Sequence, residues 1–272
     1  MIQSWKLEAV ARLILGLIAT YCFGMLLAGL VAQFAPGPTQ ARGDLWQIAI
    51  GIPFIQISAL AWISFFLRQH DVGWAEAFGL KTFNPAAAPS TRSWTRWTMK
   101  LFGLKTFKPA GVLACGLLAG ALFLPAAWAL GWVSQNAMEL AGLRPEEQAA
   151  VQVLQDPSLT TAAKVVLGVI TIILAPAVEE PLFRGIIYPA IKQRGYPRLA
   201  LWASSAIFAA MHVNVLTFVP LLFFAIVLVY LYESFQNLLV PMAAHALFNA
   251  ANFFIVLFGD QISQRLHLTW TN

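Results

Sequence analysis

The chain has 272 residues, 59% of them hydrophobic and 11% charged, with a mean hydropathy of +0.71 and a formal net charge of +5. A water-soluble domain carries about a quarter charged residues, so this composition excludes a soluble globule. Nor does the positive balance point to nucleic acid, because the basic residues lie in stretches between apolar runs, where the orientation rule of membrane proteins accounts for them.

Lys6 and Arg12 precede an apolar stretch of about twenty residues, longer than the 7–15 of a signal-peptide core, which predicts a retained first helix. Further apolar runs of the length needed to cross a bilayer follow. The predicted spans lie near 10–33, 45–67, 110–133, 164–191, 198–213, 216–233 and 238–258. The expected architecture is all-α, a polytopic transmembrane bundle of about seven spans (six to eight), forming a single integral membrane domain over 1–272. The fifth and sixth spans divide at either Asn214 or Pro220. Cys22 and Cys115 both lie in apolar segments and read as small packing residues.

The loops set the orientation. Residues 68–109 carry Arg68, Lys81, Arg92, Arg96, Lys100, Lys105 and Lys108 against Asp71 and Glu76, and Lys192, Arg194 and Arg198 follow the fourth span. Residues 134–163 carry Arg144 against Glu139, Glu146, Glu147 and Asp156. The positive-inside rule then predicts a cytoplasmic N-terminus and an outside C-terminus, and the plasma (inner) membrane is the expected location. Within 68–109, "FGLKTFNPA" at 78–86 recurs as "FGLKTFKPA" at 102–110, two copies being too few for a repeat architecture. Between the copies, Arg92, Arg96 and Lys100 on one face and Trp94, Trp97, Leu101 and Leu104 on another predict an amphipathic helix on an anionic lipid surface.

Six polar residues break the apolar interior: Glu179, Glu180 and Arg184 in the fourth span, His212 near the fifth, and His245 and Asn249 in the seventh. A charge at mid-membrane costs about 2.5–3.5 kcal/mol on insertion scales, so each needs a partner or a wet site. Glu180 and Arg184 are four apart and share a helix face, whereas Glu179 is rotated by about 100° and has no partner in its own helix. Pro176 and Pro181 bracket the glutamates and each removes a backbone hydrogen bond, predicting a broken fourth helix around a polar intramembrane cavity. His245 and Asn249 are also four apart on one face.

Blander roles exist for each group: a helix staple for Glu180 and Arg184, a helix end for His212, interhelical hydrogen bonding for His245 and Asn249. Collected at similar depth, a carboxylate, two imidazoles and a carboxamide instead suit hydrolysis by activated water. The same groups could hold zinc, though no HExxH is present, and no GxSxG marks a serine nucleophile. A proton-coupled transporter would also use buried carboxylates and broken helices.

"EEPLFRG" (Glu179, Glu180, Arg184), "FAAMH" (Phe208, His212) and "HALFN" (His245, Asn249) resemble the EExxxR, FxxxH and HxxxN motifs of the CPBP family of CAAX prenyl endopeptidases and bacteriocin-processing or self-immunity intramembrane proteases. The resemblance covers residues 164–258, the expected catalytic core. It implies that Glu179 activates the attacking water together with His212, that His245 and Asn249 stabilise the oxyanion, and that Glu180, Arg184 and Phe208 shape the site. It further implies a membrane-bound or prenylated protein or peptide as substrate, with the lipid bilayer as partner. The family is described both as metalloprotease and as metal-independent glutamate protease; the second is favoured here, with no cofactor required. The alternative in another class is a non-catalytic scaffold or immunity protein of the same fold.

Overall fold

The computed structural model describes residues 5–34, 51–80, 109–157 and 159–265, and every regular element among them is helical. In chain order these are α1 (Leu7–Phe34), α2 (Ile52–Arg68), α3 (Trp74–Ala77), α4 (Pro109–Leu140), α5 (Ala149–Gln155), α6 (Thr161–Lys192), α7 (Pro197–Ala210), α8 (Val215–Phe235) and α9 (Leu239–Arg265). Five of them, α1, α4, α6, α8 and α9, are long and apolar enough to cross a membrane. Their outward faces carry exposed Leu15, Ile18, Leu26, Leu122 and Ile173, side chains suited to lipid.

The two remaining predicted spans are shorter helices. Within 45–67 the described part is α2, of 17 residues, and within 198–213 it is α7, of 14 residues, about 21 Å long. The predicted amphipathic helix around residues 92–104 and the second FGLKTF copy lie outside the described residues.

The break between α7 and α8 falls at Asn214, and Pro220 is carried inside α8. Asn214 caps α8 by accepting from the Thr217 N–H at 3.0 Å, while its Nδ2 donates to the Glu146 carbonyl at 2.8 Å. Val213 takes a left-handed φ of 48°, strained for a β-branched residue, to reverse the chain there. Gln148 Nε2 donates to Thr217 Oγ1 at 2.8 Å, so the connection after α4 supplies partners for the start of α8.

The close approach of α4 and α9 rests on Gly116 and Gly120, four apart. A Cβ at Gly116 would sit 2.3 Å from the Val240 carbonyl oxygen, and one at Gly120 2.7 Å from that of Ala244. Without a hydrophobic force between lipid-solvated helices, small residues of this kind let backbones pack directly. Around that contact the core gathers Phe66, Phe78, Phe183, Phe208, Phe224, Leu228 and Leu238, all nearly inaccessible. A smaller cluster of Leu154, Leu159 and Leu167 packs with Phe253, Val256 and Leu257 at the start of α6 and the far end of α9. At the other end, Lys192 of α6 pairs with Glu233 of α8 at 2.5 Å.

Candidate active site

The local sequence of α6 dictates an irregular helix. Two stretches, Ile170–Leu174 and Pro181–Ile187, are wound in the wider π form, leaving a short α segment, Ala175–Glu180, between them. At the end of the first, the Ala175 N–H reaches back five residues to the Ile170 carbonyl. The next donor in that register would meet the Thr171 carbonyl, but residue 176 is proline and has no N–H. Asn249 of α9 supplies the missing donor, its Nδ2 lying 2.8 Å from the Thr171 oxygen. The break expected at Pro176 and Pro181 is not present: α6 runs continuously from Thr161 to Lys192, its winding widened into two π stretches, and Asn249, one of the expected site residues, takes part in holding the first.

Glu179 and Glu180 ride on the segment between the two turns and face different surroundings. Glu180 is fully buried: Arg184 Nη1 donates to its Oε1 at 3.0 Å, and His245 Nδ1 meets the same oxygen at 2.8 Å. Arg184, 1% exposed, also donates through Nη2 to the Ala225 carbonyl at 3.1 Å, and its guanidinium lies 4.6 Å from the Phe208 ring centre. The ion pair inferred from spacing thus extends to a third member that spacing did not reveal, the imidazole of His245.

Glu179 is 23% exposed at its side chain, and its Oε2 is buried without a hydrogen-bond partner. The imidazole within ion-pair range of it is that of His245, with Nε2 3.9 Å from Oε2. His245 therefore stands between two carboxylates, bonded to one and facing the other. With Glu180 ionised, Nδ1 carries the proton it donates, and Nε2 is the nitrogen turned toward Glu179.

His212 ends α7. Its Nδ1 pairs with the Phe208 carbonyl one turn back at 2.9 Å, and no hydrogen bond or ion pair joins it to Glu179. Phe208 lies between the histidines, its ring centre 5.0 Å from that of His212 and 5.7 Å from that of His245. Phe224 of α8 meets the opposite side of the site, 5.6 Å from the His245 ring. Motif residues from α6, α7 and α9 thus converge on His245 and Phe208, and Asn249 joins them through the Thr171 carbonyl.

Among the described residues, no three His, Cys, Asp or Glu side chains are disposed to hold a metal ion. Glu180 Oε1 and His245 Nδ1 are engaged with each other and with Arg184, while Glu179 Oε2 and Glu180 Oε2 are buried without a hydrogen-bond partner.

Sequence reasoning missed Thr171 and Ala225, whose roles are played by backbone carbonyls and carry no side-chain signal. It also missed the glycine pair of α4, for which the spacing Gly116-xxx-Gly120 in an apolar run was an available sign.

Residues 161–251 match the family described as Rce1-like, type II CAAX prenyl endopeptidase Rce1-like. This stretch begins with α6 and ends just beyond Asn249. Comparison with curated proteins and with solved structures gave no match.

Proposed function

With residues 161–251 carrying an Rce1-like domain, we propose that the protein is an integral membrane endopeptidase that hydrolyses a peptide bond of a membrane-associated or lipidated protein by activated water. The observation that carries this reading is the pairing of a free carboxylate with a fixed imidazole. Glu179 keeps an unpartnered oxygen beside His245 Nε2, while His245 is held from behind by Glu180 and Arg184.

In the proposed step a water beside Glu179 loses a proton to its carboxylate, and the hydroxide adds to the scissile carbonyl carbon. His212, whose Nδ1 is engaged by its own helix, offers Nε2 to orient that water. The carbonyl π electrons move to oxygen, and this oxyanion accepts hydrogen bonds from doubly protonated His245 through Nε2 and from the second Nδ2 hydrogen of Asn249. The proton held by Glu179 passes to the departing amine as the C–N bond breaks. Arg184 and Glu180 contact no reacting atom in this scheme; they keep His245 in place. The basic stretches support cleavage near the cytoplasmic side with the N-terminus inside.

The test is cleavage of a peptide library, lipidated and plain, by purified protein and by Glu179→Gln, each with and without a strong chelator. Loss in the variant with no effect of chelator supports the reading. Chelator-sensitive cleavage by wild type overturns the metal-independent mechanism, and full activity of Glu179→Gln overturns the assignment of the base.

A further inference from the structure

The second π turn of α6 is likewise followed by a proline. The Tyr188 N–H reaches back five residues to the Phe183 carbonyl. Residue 189 is proline, so the donor that an α register would bring to the Gly185 carbonyl is missing. Gly185 is buried, and a buried carbonyl needs a partner. The partner comes from 180 residues away: the indole Nε1 of Trp5 donates to the Gly185 oxygen at 2.9 Å.

Trp5 is itself fixed. It is 3% exposed, its backbone N–H donates to Gln193 Oε1 at 3.0 Å, and its ring meets Phe66 and His70 of the α2 end edge-on at 5.0 and 5.2 Å. A buried indole N–H is a donor with no other use, so the two unsatisfied groups complete each other. Phe78 closes the other side of Gly185, where a Cβ would come within 2.4 Å of its ring. The residue before Gly185 in the chain is Arg184, whose guanidinium fixes Glu180 and through it His245.

We propose that Trp5 is a positioning residue: by latching the Gly185 carbonyl it sets the register of the second π turn, and with it the reach of Arg184 to Glu180 and the seat of His245. This rests on the proposed protease reading only for its consequence in catalysis, not for the coupling itself. It assigns a part in the site to a residue just before α1, outside the residues matched by the family.

A double-mutant cycle on the thermal unfolding of the full chain in detergent tests it. The cycle combines Trp5→Phe, which keeps an aromatic ring and removes the N–H, with the isosteric Glu180→Gln. If the latch holds Arg184 against Glu180, Glu180→Gln loses part of its effect once the latch is gone. The double variant should then fall short of the summed Tm losses by roughly 2–4 °C. Trp128→Phe, which removes the indole bond to Asn252 elsewhere in the bundle, should add to Glu180→Gln without coupling. Summed losses with Trp5→Phe equal to the double variant overturn the proposal. Should Trp5→Phe not fold, benzothienylalanine at position 5 retains the bicyclic shape without the donor and serves in the same cycle. With a cleavable substrate, Trp5→Phe should lower kcat about tenfold at unchanged KM; a change in KM alone overturns the positioning role. A wild type that cleaves nothing counts against the protease reading, and the unfolding cycle still decides the latch.

Discussion

The turn at Ile170–Leu174 and the turn at Pro181–Ile187 are built alike, each a π stretch followed two residues later by a proline, and each receives a side-chain donor from another helix or segment. They differ in who provides it. At the first, Asn249 comes from α9, inside the stretch matched by the family. At the second, Trp5 comes from the start of the chain and is sealed in the core. The difference maps onto the two glutamates between them. Glu179 is partly exposed and faces His245 at 3.9 Å, while Glu180 is fully buried and held through Oε1 by Arg184 and His245. One turn therefore lies toward the partly exposed glutamate, and the other toward the buried ion pair.

Substitutions can break that comparison or sharpen it. The largest effect is expected on the reactive side: Glu179→Gln should lower peptide cleavage by about 10²–10⁴-fold, the usual contribution of a general base, with little change in Tm. A variant that cleaves normally would show that the free carboxylate is not the base. On the anchored side, Arg184→Gln should act on folding first, because it strands the Glu180 carboxylate in the core. Breaking a buried pair in this way costs about 3–5 kcal/mol, visible as poor recovery or a much lower Tm, and Arg184→Lys should restore part of it. Asn249→Ala should do some of both. Orphaning the Thr171 carbonyl costs about 1–3 kcal/mol in chemical denaturation, and the rate should fall as well. The smallest and most pointed effect is a rescue: in a Pro176→Ala background, residue 176 regains an N–H for the neighbouring carbonyls. The stability loss from Asn249→Ala should then shrink by about 1 kcal/mol, while its effect on cleavage remains. Equal stability losses in both backgrounds would mean that the proline does not create the need for Asn249.

Different parts of this arrangement were legible to different degrees. Glu180 with Arg184, and His245 with Asn249, could be paired or placed on one face from spacing, since residues four apart on a helix are neighbours whatever surrounds them. Separate roles for Glu179 and Glu180 followed from their angular offset. Which imidazole stands by Glu179 did not. Spacing says nothing about the rotation of one helix against another, and it is α9, brought close by Gly116 and Gly120, that sets His245 3.9 Å from Glu179. His212 shared a motif and a depth with the others, yet its Nδ1 turned to its own helix, a local bond that a helix end permits.

Composition, length and the missing N–H of proline account for the apolar helices, the irregular winding of α6 and the charge inside it. The tertiary structure alone decided which carbonyls receive a donor from outside the helix. It likewise decided that Asn249 and Trp5 provide those donors and that His245 bridges the two glutamates. Those outcomes depend on contacts between residues up to 180 positions apart, and their geometry is fixed by how closely backbones can approach rather than by any local pattern of residues.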